Sequence, residues 1–143
     1  VTKSHTVWSG ADSSRFGTPV VYEDRLYFFS GSVVGCNNAK TGKKVFQGRL
    51  EGGSSSGGGG RSRSGRGGGG SDYSSPVIAD GKIYFVQGSG SCFVLKAGDK
   101  FEQLAVNSVT TDRESFGATP AISNGEIFLR SDKHLYCISE SVK

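Results

Sequence analysis

The chain has 143 residues, a formal net charge of +4, 34% hydrophobic residues, 23 glycines, three prolines and three cysteines. That length suits one domain, and no run of 18 apolar residues exists to form a transmembrane helix. Part of the positive charge sits in one low-complexity tract and the remainder is close to balanced, so the domain-wide basic face of a strong nucleic-acid binder is missing.

The opening residues, Val1 to Trp8, carry neither a signal nor a transit pattern and read like the interior of a longer protein. This predicts a processed or cloned fragment and leaves the parent's location open. Thr6-Val7-Trp8-Ser9 reads as an unattached outer strand, spanning about residues 4–9. The polar stretch after it, with Asp12 and Arg15, leads into Phe16-Gly17-Thr18-Pro19.

At Pro19 a repeat begins. Pro19-Val20-Val21-Tyr22 predicts a first strand, because proline starts strands rather than sitting inside central ones. Glu23-Asp24 follows as a turn, then a second strand from Arg25 to Phe29, a third from Val33 to Cys36, and a fourth from Lys44 to Gln47. The second copy reads Pro76-Val77-Ile78-Ala79, Asp80-Gly81, Lys82 to Val86, Cys92 to Leu95 and Phe101 to Val106. The third reads Pro120-Ala121-Ile122-Ser123, Asn124-Gly125, Glu126 to Arg130 and Leu135 to Ile138, then stops. Asp-Gly and Asn-Gly favour the hairpin turn in which both central residues take positive φ. The first copy lacks the glycine, which predicts a different turn there.

The prolines are spaced by 57 and 44 residues. The second spacing matches the period of roughly 40–45 residues of a WD40-type propeller blade. The first is lengthened by residues 51–72, which hold 11 of the 23 glycines and no apolar side chain. Such a tract buries no surface to offset chain entropy, so it is expected to be disordered. The fold class is therefore all-β: three four-stranded antiparallel blades at about 16–50, 73–108 and 116–139, with the strand at 4–9. An outer strand first and a third strand last predict either a partial propeller or half of a head-to-tail ring, two chains giving six blades. An open arc of three blades would leave sheet edges bare.

These residues resemble the PQQ-like β-propeller repeat. The resemblance is carried by Pro76-Val77-Ile78 with Asp80-Gly81-Lys82-Ile83-Tyr84-Phe85, and by Ala39-Lys40-Thr41-Gly42-Lys43-Lys44-Val45-Phe46. Phe46 stands where the repeat usually has tryptophan, and Val7-Trp8 keeps it. The family includes quinoprotein alcohol dehydrogenases, the outer-membrane assembly propeller lipoprotein and many exported bacterial propellers. Residues 101–107 and 118–123 look most like the last group, which implies a periplasmic or extracellular place. The dehydrogenases of the family carry adjacent cysteines, a stacking tryptophan and calcium ligands. This chain has no adjacent cysteines, so the resemblance implies neither PQQ nor calcium here.

Candidate sites are few. Asp12, Arg15, Asp72, Asp112, Arg113 and Glu114 precede the first strands and are expected to gather on one face around a central opening, where propellers bind ligands; the plainer reading is turn-setting and interblade contact. Arg61, Arg63 and Arg66 make the glycine tract a candidate polyanion tether, against the plainer reading of a passive linker. Cys36, Cys92 and Cys137 read as small core residues, and no spacing of histidine, cysteine or acid suggests a metal. Tyr27, Phe28, Tyr84, Phe85 and Phe128 read as core aromatics, with an exposed sugar-binding ladder as the alternative. No pair of carboxylates can be named as acid and base. The expected function is a non-catalytic scaffold or binding module of an exported bacterial protein, with a protein partner or its own copies. The alternatives are a piece of a quinoprotein dehydrogenase or an RNA tether.

Overall fold

The computed structural model describes residues 5–12, 14, 16–53 and 73–140. Among them, eleven strands form three separate antiparallel sheets, each a meander in chain order. Blade 1 is β1 (Val20–Tyr22), β2 (Arg25–Ser30), β3 (Val33–Asn38) and β4 (Lys44–Arg49). Blade 2 is β5 (Val77–Ala79), β6 (Lys82–Val86), β7 (Ser91–Lys96) and β8 (Gln103–Ser108). Blade 3 is β9 (Ala121–Ser123), β10 (Glu126–Arg130) and β11 (Leu135–Ile138), with no fourth strand among the described residues.

The blades repeat in register as well as in order. Tyr27 pairs with Cys36 and Cys36 with Phe46, just as Tyr84 pairs with Val94 and Val94 with Ala105. The register slips once in each four-stranded blade, directly after Cys36 and after Val94. All three inner hairpins share one turn. Asp80 and Gly81, and Asn124 and Gly125, have positive φ as expected, and so do Glu23 (46°) and Asp24 (62°). The different turn expected for the first copy is thus corrected. The right-handed twist of two short strands demands this turn whatever residues are available.

Alternation along the strands gives each sheet two apolar faces, one toward each neighbouring position in the array. Counting from the proline, the eighth and tenth residues face the next blade, and the seventh and ninth face the previous one. Tyr27 and Phe29 of blade 1 meet Ile83 and Phe85 of blade 2 in one buried cluster with Val34, Cys36, Phe93 and Leu95. Phe29 stacks on Phe85 with ring centroids 4.4 Å apart. Val86 and Cys92 of blade 2 meet Leu129 of blade 3 and Phe116 of the connector in a second, smaller cluster. Burial pushes the thiols of Cys36 and Cys92 up to about 11. Cys137 departs from the core reading: it is exposed, because its side of β11 has no blade against it.

Two further expectations are corrected. Residues 6–10 form no strand; instead the Trp8 indole N–H donates to the Ala39 carbonyl at 2.8 Å. The ring lies over Gly42, where a Cβ would come within 2.6 Å of it. A lone segment without a neighbouring strand has no ladder to join, so side-chain anchoring alone fixes it. Residues 51–53, expected to be disordered with the rest of the glycine tract, are held in place. Glu51 and Gln103 exchange two hydrogen bonds, Gln103 Oε1 accepting from Glu51 N–H at 3.0 Å and Gln103 Nε2 donating to the Glu51 carbonyl at 2.9 Å. Gly53 lies against the Phe93 ring. Residues 54–72, with Arg61, Arg63, Arg66 and Asp72, lie outside the described residues, as does Arg15.

Candidate functional site

The segments entering the three first strands do come together, through residues the sequence reading passed over. The residue before each repeat proline carries a hydroxyl: Thr18, Ser75 and Thr119. The Thr18 N–H donates to Ser75 Oγ at 2.8 Å, and the Ser75 N–H donates to Thr119 Oγ1 at 3.0 Å. Blades 1 and 2 thus each give a backbone donor to the next blade's hydroxyl. The signal was present as Thr-Pro, Ser-Pro and Thr-Pro in all three copies.

The charged candidates divide between two places. Asp12 sits on the side of blade 1 away from blade 2, where it accepts from Asn37 Nδ2 at 3.2 Å and pairs with Lys44 at 3.3 Å. Those two hydrogen bonds, Asn37 first, hold its carboxyl below the usual aspartate range. Asp112, Arg113 and Glu114 lie in the connector between blades 2 and 3. Asp112 is exposed, its N–H bonded to Thr110 Oγ1 at 3.1 Å. The Arg113 carbonyl accepts from Lys133 Nζ at 2.8 Å.

Glu114 is the buried member of this group, its side chain only 1% exposed. Its Oε1 lies 2.7 Å from His134 Nδ1, and its Oε2 accepts from the Tyr136 hydroxyl at 2.8 Å. Hydrogen bonding from the Ser131 hydroxyl, then from Tyr136 and His134, holds the Glu114 carboxyl below its usual value. Desolvation first, and then the same carboxylate, raise Tyr136. The imidazole is mostly exposed. The arrangement ties the connector to blade 3. A carboxylate that orients an imidazole can support proton transfer; the Ser131 hydroxyl adjoins this pair, and a cavity of about 250 Å³ lies nearby, lined by Ser115, Arg130, Ser131 and Asp132 among others.

A cleft of about 390 Å³ lies between blades 2 and 3, lined by Tyr84, Val94, Val109, Ile127 and Ile138 among others. The repeat explains it. At the first junction Phe46 fills the corresponding space beside Tyr27 and Phe101, with centroids 6.3 and 6.4 Å away. Blade 2 has Ala105 in that place. Neither cavity nor cluster groups three or more metal-binding side chains among the described residues.

No protein-family profile matches the sequence, and no curated protein matches it. Solved structures do match. BamB from Moraxella catarrhalis superposes with a TM-score of 0.64 over 93% of this chain, at 14% identity. The chain has the fold of part of a β-propeller. A second match, the quinohemoprotein alcohol dehydrogenase ADHIIG from Pseudomonas putida HK5, has a TM-score of 0.58 over 81% of the chain, also at 14% identity. The chain spans 36% and 16% of those two proteins' chains. The likeness carries the fold, and the PQQ-like character of the repeats agrees with it.

Proposed function

We propose that this propeller part is a non-catalytic scaffold that binds protein, in an exported bacterial protein of the periplasm or the cell exterior. One observation carries this reading: blades 1 and 3 each have a sheet face with apolar side chains that the described residues leave partly or wholly uncovered. At the blade 3 end, Leu135 is 73% exposed and Cys137 is exposed, both on the side of β11 away from blade 2. At the blade 1 end, Leu26 and Phe28 are only half-buried, beside Trp8, Gly10, Asp12 and Ser14. Open edges and apolar faces seek partners. The partner favoured here is a second copy, joined head to tail so that residues 6–9 of one chain lie beside β11 of the other. Two chains then close a six-bladed ring, within the range closed propellers use.

Sedimentation velocity tests the ring, with a mass of two chains as the expected result and a persistent monomer as the refuting one. The scaffold reading needs neither PQQ nor calcium. A second reading, part of a quinoprotein dehydrogenase, is favoured by the match to ADHIIG. Incubation with PQQ and calcium followed by dye-linked alcohol oxidation separates the two, and turnover would overturn the scaffold. A polyanion tether through Arg61, Arg63 and Arg66 predicts loss of heparin retention when residues 52–71 are deleted. The scaffold predicts no change.

A further inference from the structure

The two junctions inside the chain are built on one plan, but the second lacks three aromatic rings that the first has. Position by position in the repeat, Phe29 of blade 1 is Val86 in blade 2, and Phe46 is Ala105. On the facing side, Phe85 of blade 2 is Leu129 in blade 3. At the first junction Phe29 stacks on Phe85 at 4.4 Å, and Phe46 fills the outer part beside Tyr27 and Phe101. Tyr27, Cys36 and Ile83 are fully buried there. The matching Tyr84, Val94 and Ile127 at the second junction stay half-buried and line the cleft of about 390 Å³. Side chains inside the two blades thus make this space, by being smaller than their counterparts.

The cleft has a definite chemistry. Cys92 and Leu129, which belong to the second buried cluster, form its floor. Asn107 and Ser108, both exposed, put an amide and a hydroxyl at its mouth. No charged side chain lines it among the described residues. An ionic ligand would lose its hydration there and gain no counter-charge. The volume falls within the range of about 300–1,000 Å³ typical of small-molecule pockets. An apolar cavity of about 150 Å³ already accepts benzene, so one or two rings fit. Ala105 lies opposite Val94 on the cleft side, as Phe46 lies opposite Cys36. The place of the absent ring is therefore beside Tyr84, and aromatic pairs gain from contact beyond the area they bury.

We propose that the cleft between blades 2 and 3 binds a small neutral aromatic molecule of one or two rings, in the place that the Phe46 ring takes at the first junction. Asn107 at the mouth suits one hydroxyl or N–H on the ligand. The site goes beyond the scaffold reading and lies within a single chain, so it needs neither a second copy nor a ring.

Indole is the probe, titrated into the full chain and followed in methyl ¹H–¹³C spectra. The Val94 and Ile127 methyls should shift saturably, while those of Val20 and Val45 at the first junction stay. Ala105→Phe restores the ring inside the cleft and should weaken indole binding by at least about tenfold, with a higher thermal midpoint in the absence of ligand. Indole-3-acetate, an anion, should bind at least about tenfold more weakly than indole. The wild-type titrations decide the matter even if Ala105→Phe fails to fold. Shifts that do not saturate up to the solubility of indole, or that leave Val94 and Ile127 unmoved, would overturn the site. Unchanged affinity in a folded Ala105→Phe would overturn its position, and equal binding of the anion would overturn the ligand class. None of these results bears on whether the blades also dock a protein, which sedimentation tests separately.

Discussion

Asp24 holds a φ of 62° where the other two copies have glycine. Left-handed backbone costs a residue with a Cβ roughly 1–2 kcal/mol, somewhat less for aspartate. Its ion pair with Lys40 is exposed on both sides and returns little. Asp24→Gly is therefore expected to raise stability by about 0.5–1 kcal/mol. A rise in the urea midpoint at constant slope would show it, and a fall would mean that the Lys40 contact outweighs the strain.

At the scale of elements, the blades are joined by two kinds of link besides apolar packing. The first is the hydroxyl stitch. Ser75 takes part in both of its bonds, accepting from Thr18 and donating its own N–H to Thr119. Ser75→Ala removes only the acceptor, at a cost of about 0.5–1.5 kcal/mol, and Ser75→Thr should restore it. Thermal unfolding of the three proteins measures this, and equal midpoints for Ala and Ser would refute the stitch. The second link is Glu114, which fastens the connector to blade 3. Its carboxyl titrates lower in the folded chain than in the unfolded one. The stability it supplies is therefore present above the ordinary glutamate value of about 4.3 and is lost as pH falls through the lower folded value. Glu114→Gln should be less stable than wild type at pH 7, and the gap should shrink as the pH drops toward 3. Urea midpoints across that range would check the sign.

For the molecule as a whole, cohesion is uneven. The blade 1–blade 2 cluster unites nine buried residues, whereas the blade 2–blade 3 cluster unites four among the described residues. Native-state amide exchange should therefore be faster in β9 to β11 than in β2, β3, β6 and β7; uniform protection would contradict this. The same contrast marks what was legible in the sequence. Strands and blade order could be read because alternation and the turn residues are local. Glu23-Asp24 misled because the twist of the hairpin, not its residues, chose the turn. Trp8 misled because a strand needs a neighbour that the sequence of one segment cannot supply. Cys137 was taken for core because its apolar neighbours speak of the strand and not of whether a blade covers it. At the candidate site, Asp12 and Glu114 could be named in advance. Their partners Asn37, His134 and Tyr136 could not, since each contact spans more than 19 residues of chain.

The bonds through Thr18, Ser75 and Thr119 carry a consequence for how such a protein can grow. Each bond takes its donor from one unit and its acceptor from the following unit, so the motif has polarity and no built-in stopping point. Duplicating a stretch that runs from one hydroxyl-proline pair to the next would insert a unit already equipped to bond both neighbours. Lengthening by tandem duplication then needs no new chemistry at the seam, only side chains that fill the wedge beside it.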